Sequence, residues 1–254
     1  MGNRDASAES FDFHFKGQKT IEAALATLVK AHGLGAKPGQ TLLFGGGSAG
    51  GRGAMANLDF IDGILSEQLH VASAPRVLGF PDSPYWMDLV PDRAASPPDK
   101  FIGFAKMTAD IFALGNISGR ASAACAATYS GEDAWKCAFG QYRMPFITTP
   151  YMMVASQSDA FQLGADIGHL PKTKEEKAYA QTFATATHTH GSALVAAGTK
   201  AAKDGSVVFS QNCHTHSTSL SDYGMSGKNN GFTVRCLHLE QDDFTKTGSG
   251  QTYT

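Results

Sequence analysis

The sequence has no apolar run approaching the ~20 residues that a membrane-spanning helix needs, so no stable membrane insertion is expected. It also lacks an excess of either charge. Twenty-one Lys and Arg stand against 23 Asp and Glu, for a formal net charge of -2. That balance gives no electrostatic footprint for nucleic acid or an anionic surface. The opening residues, MGNRDASAES, are polar and do not read as a signal peptide. Ala6 stands where an N-myristoylation motif needs Ser or Thr. No internal repeat and no interdomain linker is visible. The whole span 1–254 is therefore read as a single domain, with a disordered tail at about 246–254.

What is present is an ordinary globular composition, 42% hydrophobic, with enough chain to bury a real core. There are four cysteines, Cys125, Cys137, Cys213 and Cys236. An even count permits two disulfides in a chain this long without requiring them. One glycosylation triplet, Asn116-Ile117-Ser118, carries little weight because such triplets arise by chance.

Along the chain, Phe11, Phe13 and Phe15 alternate with polar residues and predict a short strand or an extended entry. Ile21, Leu25, Leu28, Val29 and His32 mark one face of a helix that Gly33 and Gly35 stop. QTLLFG, RVLGF, FITTPYMMVAS and SVVFS read as buried strands, the second closed by Pro81 and Asp82. Helices are expected in the run from AGGRGAMANLDF to SEQL, from Pro98 to Leu114, and across KTKEEKAYAQTFATATHTHGSALVAAGTKAA. The segment from Ser122 to Pro145 is irregular. Strands alternating with long helices predict an α/β fold with a mainly parallel sheet. Sites in such sheets form at the carboxyl ends of the strands. Three polar clusters fall there, around Ser48, Asp159 and His216.

Gly46-Gly47-Ser48-Ala49-Gly50 satisfies G-x-S-x-G between a strand and a helix. In α/β-hydrolases that pattern makes a sharp turn that lifts a serine into the site. A glycine-rich phosphate loop is the rival reading, but the Walker Lys-Ser/Thr pair is missing. A serine needs a base, and the base needs an orienting acid. The order serine, acid, histidine is met by Ser48, Asp159 and either His214 or His216. Taken alone, Asp159 reads equally well as a helix N-cap. The pairs His188/His190 and His214/His216 raise a metal-dependent hydrolase as an alternative. The first pair lies in a helical stretch, where residues two apart face different ways, and no H-E-x-x-H frame exists. No metal and no cofactor is expected.

Together these residues resemble the pectin acetylesterase/Notum family of carboxylesterases, over most of the chain. FHFKGQKTIEAALATLV resembles the family's F-R-G segment and helix. LLFGGGSAGG resembles L-L-x-G-C-S-A-G-G, and VLGFPDSPYWMD resembles a strand ending in S-D-A-G-F-F-L-D. CAATYSGEDAWKCAFGQY, TPYMMVASQSDAFQL and VVFSQNCHTHS are similar to its paired-cysteine, acid and base stretches. The resemblance implies an α/β-hydrolase-like fold with Ser48 as nucleophile, Asp159 as acid and His216 as base. His216 is preferred to His214 because the family's base lies three residues after a cysteine, here Cys213. Ala49 is expected in the oxyanion hole, and Gly46, Gly47 and Gly50 in the nucleophile loop. A Cys125–Cys137 disulfide and a secretory-pathway location are also implied. The implied substrate is an acylated polysaccharide or another acyl ester, with acetyl the expected acyl group.

The chain departs from the pattern at Gly47 and Ser217, where the family has cysteine. It departs again at Ser158, in place of tyrosine, and Phe161, in place of tryptophan. It also lacks the family's upstream G-G-G-W-C loop, which supplies part of the oxyanion hole. Met1 is therefore expected to be an internal methionine of a longer protein, and an inactive or impaired remnant is a further alternative.

Overall fold

The computed structural model describes residues 2–92 and 101–217, and the backbone of the pairs 236–237 and 247–248. Among these, four strands form one parallel sheet in the order β1 (Thr41–Gly47), β2 (Arg76–Asp82), β3 (Met152–Ser156) and β4 (Val207–Gln211). β1 and β2 pair along their length, from Thr41 against Arg76 to Gly47 against Asp82. β3 and β4 pair from Met152 against Val207 to Ser156 against Gln211. All four strands therefore end on one edge, where the three polar clusters sit. This is the mainly parallel α/β sheet that the alternation of strands and helices predicts, and it fits the α/β-hydrolase-like fold that the resemblance implies.

The sheet's two faces are unequal. Leu42, Phe44, Val77, Tyr151, Met153, Ala155 and Val208 turn into the main core. Leu43, Met152 and Val207, on the alternate positions, are exposed. Helix α1 (Gly17–His32) lays Ile21, Leu25, Leu28 and Val29 against that core and ends at Gly33, whose φ of 70° suits a residue without a Cβ. His32, expected on the same face, is exposed.

Behind the Ser48 loop, α2 (Ala49–Asn57) continues as short 3-10, α and π turns to Gln68 rather than as one regular helix. Leu58, Ile61, Ile64 and Leu65 on those turns are all buried. α3 (Phe104–Gly115) begins later than the sequence suggests, and residues 93–100 before it lie outside those described. α4 (Ala123–Thr128) and a 3-10 stretch (Gly131–Ala138) give the irregular segment more order than its sequence promises. The Cys125–Cys137 disulfide ties them together, with Cα atoms 5.9 Å apart.

α5 (Ala160–Ile167) follows β3 directly. α6 (Lys174–Leu194) starts at a capping box. Thr173 Oγ1 accepts from the Glu176 N–H, and the Glu176 carboxylate accepts from the Thr173 N–H. Its buried face is Ala180, Phe183, Ala184, Thr187 and Leu194, the i, i+3, i+4, i+7 spacing of a helix packed on one side. Truncating Phe183, the largest of these, removes burial worth about 3–5 kcal/mol.

Two expectations are not met as read. Phe11, Phe13 and Phe15 do not form a strand. A 3-10 turn (Ala8–Ser10) precedes them, Phe11 and Asp12 have left-handed φ values, and Phe11 and Phe13 are exposed. Only Phe15 bridges to another segment, at Arg4. Period 2 without a partner strand is not enough to hold an extended chain. Pro81 and Asp82, in turn, do not close β2 but belong to it, pairing with Gly46 and Gly47. Of the expected disordered tail, Thr247–Gly248 pairs antiparallel with Cys236–Leu237, and the rest lies outside the described residues.

Candidate active site

The sheet delivers Ser48 to its C-terminal edge in a conformation that few residues adopt, φ 54° and ψ -118°. Such a residue persists only where its surroundings hold it. Here the hold is visible. The Ser48 N–H donates to the Asp82 carbonyl at 2.9 Å, so the strand next door pins the turn. The turn also needs glycines. A Cβ on Gly51 would stand 2.2 Å from the Asp82 carbonyl oxygen, and one on Gly46 would stand 2.7 Å from the Gly50 carbonyl carbon. Gly46 and Gly51 are thus steric requirements of strand and helix crossing at a serine, whereas a Cβ on Gly50 would meet nothing within 4 Å.

Asp159 arrives at the end of β3, as the N-cap of α5, and His216 arrives after β4. The structure brings the three together. His216 Nε2 lies 2.7 Å from Ser48 Oγ, and His216 Nδ1 lies 2.8 Å from Asp159 Oδ2. The other Asp159 oxygen, Oδ1, accepts from the Phe161 N–H at 3.0 Å and the Gln162 N–H at 2.9 Å. Asp159 therefore caps α5 with one oxygen and meets His216 with the other.

Asp159 is buried, and His216 is mostly so. Burial alone pulls the His216 pKa down. The Asp159 hydrogen bond and charge, with the more distant Asp82 carboxylate, outweigh that and hold it above the usual histidine value. His214 behaves oppositely, since burial dominates and lowers its pKa. It is His216, not His214, that faces both Ser48 and Asp159.

Behind His216 runs a network that sequence reasoning missed. The Ser217 N–H donates to Ser83 Oγ at 2.9 Å, and Ser83 Oγ donates to the Asp82 carboxylate at 2.9 Å. Ser83 itself has a left-handed φ of 53°. Asp82 thus touches both halves of the site, Ser48 through its carbonyl and the residue after His216 through Ser83. Its place at a strand's carboxyl end was the available signal.

The positions that depart from the family pattern are also placed. Phe161 lies against the His216 ring, with centroids 5.2 Å apart. Ser158 Oγ donates to Asn212 Oδ1 at 3.1 Å. Gly47 is the last residue of β1, and Ser217 has a left-handed φ of 54°. Ala49 opens α2, where the first-turn N–H groups have no partner inside the helix. Ala49 and Gly50 are both exposed, so the loop opens to solvent. Cys213, three residues before His216, is buried and disulfide-bonded.

His188 and His190 both lie on α6 and are exposed. Among the described residues, no group of three or more His, Cys, Asp or Glu side chains is placed to hold a metal ion.

The chain resembles known proteins over most of its length. Three curated relatives are palmitoleoyl-protein carboxylesterases. That of Drosophila melanogaster is 27% identical over 175 residues, 69% of this chain and 24% of its own length. That of Danio rerio is 28% identical, over 68% of this chain and 34% of its own. That of Mus musculus is 29% identical, over 63% and 30%. This chain therefore spans about a quarter to a third of these relatives. In fold it is similar to the Wnt deacylase Notum from Drosophila. One crystal form gives a TM-score of 0.70 at 23% identity, covering 88% of this chain and 58% of that one. A second crystal form gives 0.64 at 24% identity, covering 81% and 54%. The family model for pectinacetylesterase matches residues 1–236, nearly the whole sequence, so the chain belongs to the pectinacetylesterase family.

Proposed function

We propose that this chain is a serine carboxylesterase that removes small acyl groups, acetyl foremost, from an acylated glycan. The observation that carries the reading is the contact of Ser48 Oγ with His216 Nε2 at 2.7 Å, backed by Asp159. A histidine whose Nδ1–H donates to a carboxylate keeps a lone pair on Nε2, which is what a serine hydroxyl needs in a base.

In the acylation step, His216 takes the Ser48 proton as Ser48 Oγ bonds to the ester carbonyl carbon. The carbonyl oxygen takes up the negative charge. Ala49's N–H, at the positive end of α2, is taken as the donor to it. Collapse breaks the bond to the alcohol oxygen, and His216 returns the proton to the departing alcohol. Water then attacks the acyl-serine, with His216 again taking a proton. The carboxylic acid leaves, and Ser48 recovers its hydrogen. Throughout, Asp159 holds the ring and stabilises its charged form.

A small acyl group is favoured because Tyr85, Trp86 and Met87, just after β2, are packed into the core clusters instead of lining a deep acyl tunnel. The buried Cys125–Cys137 disulfide supports a secretory location, since such bonds persist in oxidising compartments. The test is hydrolysis of 4-nitrophenyl acetate by the wild type and by Ser48→Ala. Turnover should fall at least about a thousandfold in the variant, as when the nucleophile of such a triad is removed. Equal turnover in the two proteins would remove Ser48 from the mechanism.

A further inference from the structure

Ser48, Ser83 and Ser217 share an uncommon backbone. Their φ values are 54°, 53° and 54°, in the left-handed region that residues with a side chain rarely enter. The three are not scattered. The Ser48 N–H donates to the Asp82 carbonyl at 2.9 Å, Ser83 follows Asp82 in the chain, and the Ser217 N–H donates to Ser83 Oγ at 2.9 Å. Strained residues persist only where their surroundings hold them, and these three share one holder, the end of β2. That end is firmly seated. Asp82 pairs with Gly47 of β1 on one side and Val154 of β3 on the other, and the Ser83 N–H donates to the Val154 carbonyl at 2.8 Å.

His216 hangs between two tethers, one on each neighbour. On one side, the Thr215 carbonyl accepts from the Ala160 N–H at 3.1 Å, which ties the loop to the helix that Asp159 caps. On the other side, Ser217 is tied through Ser83 to the strand that pins Ser48. The first tether sets His216 against its acid, and the second sets it against Ser48. A serine hydroxyl has one proton and two lone pairs. The Ser83 proton goes to the Asp82 carboxylate at 2.9 Å, which leaves a lone pair for the Ser217 N–H. Donating to a carboxylate also makes the hydroxyl a better acceptor, because linked hydrogen bonds polarise one another. Asp82 and Ser83 are both buried, so water is not at hand to replace either bond.

We propose that Ser83 is a positioning residue for ester hydrolysis: its hydroxyl, oriented by Asp82, holds the backbone after His216 and so sets the approach of His216 Nε2 to Ser48 Oγ. The inference rests on the esterase reading above and adds a residue that touches none of the reacting atoms. Without the Ser83 hydroxyl, His216 keeps its tether to the Asp159 side and loses the one to the Ser48 side.

The test uses two variants. Ser83→Ala removes the hydroxyl and keeps a Cβ at a left-handed φ. Ser83→Gly removes the hydroxyl and relieves that backbone. In both, kcat on 4-nitrophenyl acetate should fall roughly ten- to a hundredfold with KM within about twofold, the cost of misplacing a catalytic group by about 1 Å. The acid midpoint of the kcat/KM profile should stay above the ordinary histidine value, because Asp159 and Asp82, the charges that act on His216, are both kept. An unchanged kcat overturns the proposal. So does a loss in Ser83→Ala that Ser83→Gly restores, since activity then follows backbone strain and not the hydroxyl. A rise in KM alone, or a midpoint that falls as the His216–Asp159 pair comes apart, overturns it as well. If the wild type hydrolyses no ester, the esterase reading has failed, and amide exchange decides on the tether alone. The peptide that carries Ser217 should exchange at least about tenfold faster in Ser83→Gly than in the wild type, while the peptide that carries Ser48 should not. Equal exchange of the Ser217 peptide in the two proteins overturns the tether itself.

Discussion

Asp159 divides its two oxygens between two tasks. Oδ2 meets His216 Nδ1 at 2.8 Å, while Oδ1 caps α5 through the N–H groups of Phe161 and Gln162. The helix cap fixes the carboxylate, and the fixed carboxylate aims the imidazole. A part of the fold that looks purely structural is what sets the geometry of the site.

This division separates two substitutions. Asn caps helices about as well as Asp, so Asp159→Asn should leave the melting temperature nearly unchanged. It should still cost roughly a thousand- to ten-thousandfold in turnover, because an amide does not stabilise the imidazolium. Asp159→Ala should show the same catalytic loss and in addition lose about 1 kcal/mol of stability. Thermal unfolding and 4-nitrophenyl acetate kinetics on both variants give the comparison.

The pH profile follows from the raised His216 pKa. The base works only when neutral, so activity should rise with pH through a midpoint above the ordinary histidine value near 6.5. Asp159→Asn should move that midpoint down. Stability runs the other way. A group whose pKa is raised on folding adds stability that is fully present below its unfolded value and is lost as pH rises through the folded one. A kcat/KM profile with its acid midpoint below 6.5 in the wild type would contradict the assignment.

Much of this site was legible in the sequence, and the reason is local. The Ser48 turn needs glycines because backbone passes backbone there, at Gly51 against Asp82 and at Gly46 against Gly50. A steric need of that kind leaves a fixed string of letters. Asp159 and His216 could be placed because both follow strands, and β3 and β4 are short apolar runs that are easy to see. Ser83 was not legible. It acquires its meaning from a partner far along the chain, Ser217. Phe11 and Phe13 show the opposite error, a pattern of alternation with no neighbouring strand to give it effect.

Asp59 should prove the most sensitive structural carboxylate outside the site. It accepts from the Thr148 and Thr149 N–H groups, both at 2.9 Å, and it is the carboxylate partner of the fully buried Arg143. Asp59→Ala leaves that charge unpaired in the interior, so a loss of about 3–5 kcal/mol is expected in chemical denaturation. A loss below about 1 kcal/mol would show that Arg143 finds another partner or water.

The Cys125–Cys137 disulfide closes a short loop, with a sequence separation of 12. Replacing both cysteines with alanine should cost about 3 kcal/mol, the loop-closure value for that length. The loop reaches Trp86 at second hand, with Trp135 packing on Phe139 and Phe139 on Trp86. The double variant should therefore keep its esterase activity at a temperature where it remains folded. Loss of turnover in a demonstrably folded variant would give the disulfide a role in shaping the site.

The central claim is that Ser48 is an activated nucleophile. A fluorophosphonate probe reacts covalently with such a serine, and mass spectrometry of the digested adduct locates the label. The account predicts one adduct, on the peptide that contains Ser48. It should be absent in Ser48→Ala and slowed by at least about a hundredfold in His216→Ala, because an unassisted serine hydroxyl is a weak nucleophile. A folded wild-type protein that takes no label, or takes it equally after His216 is removed, would contradict it.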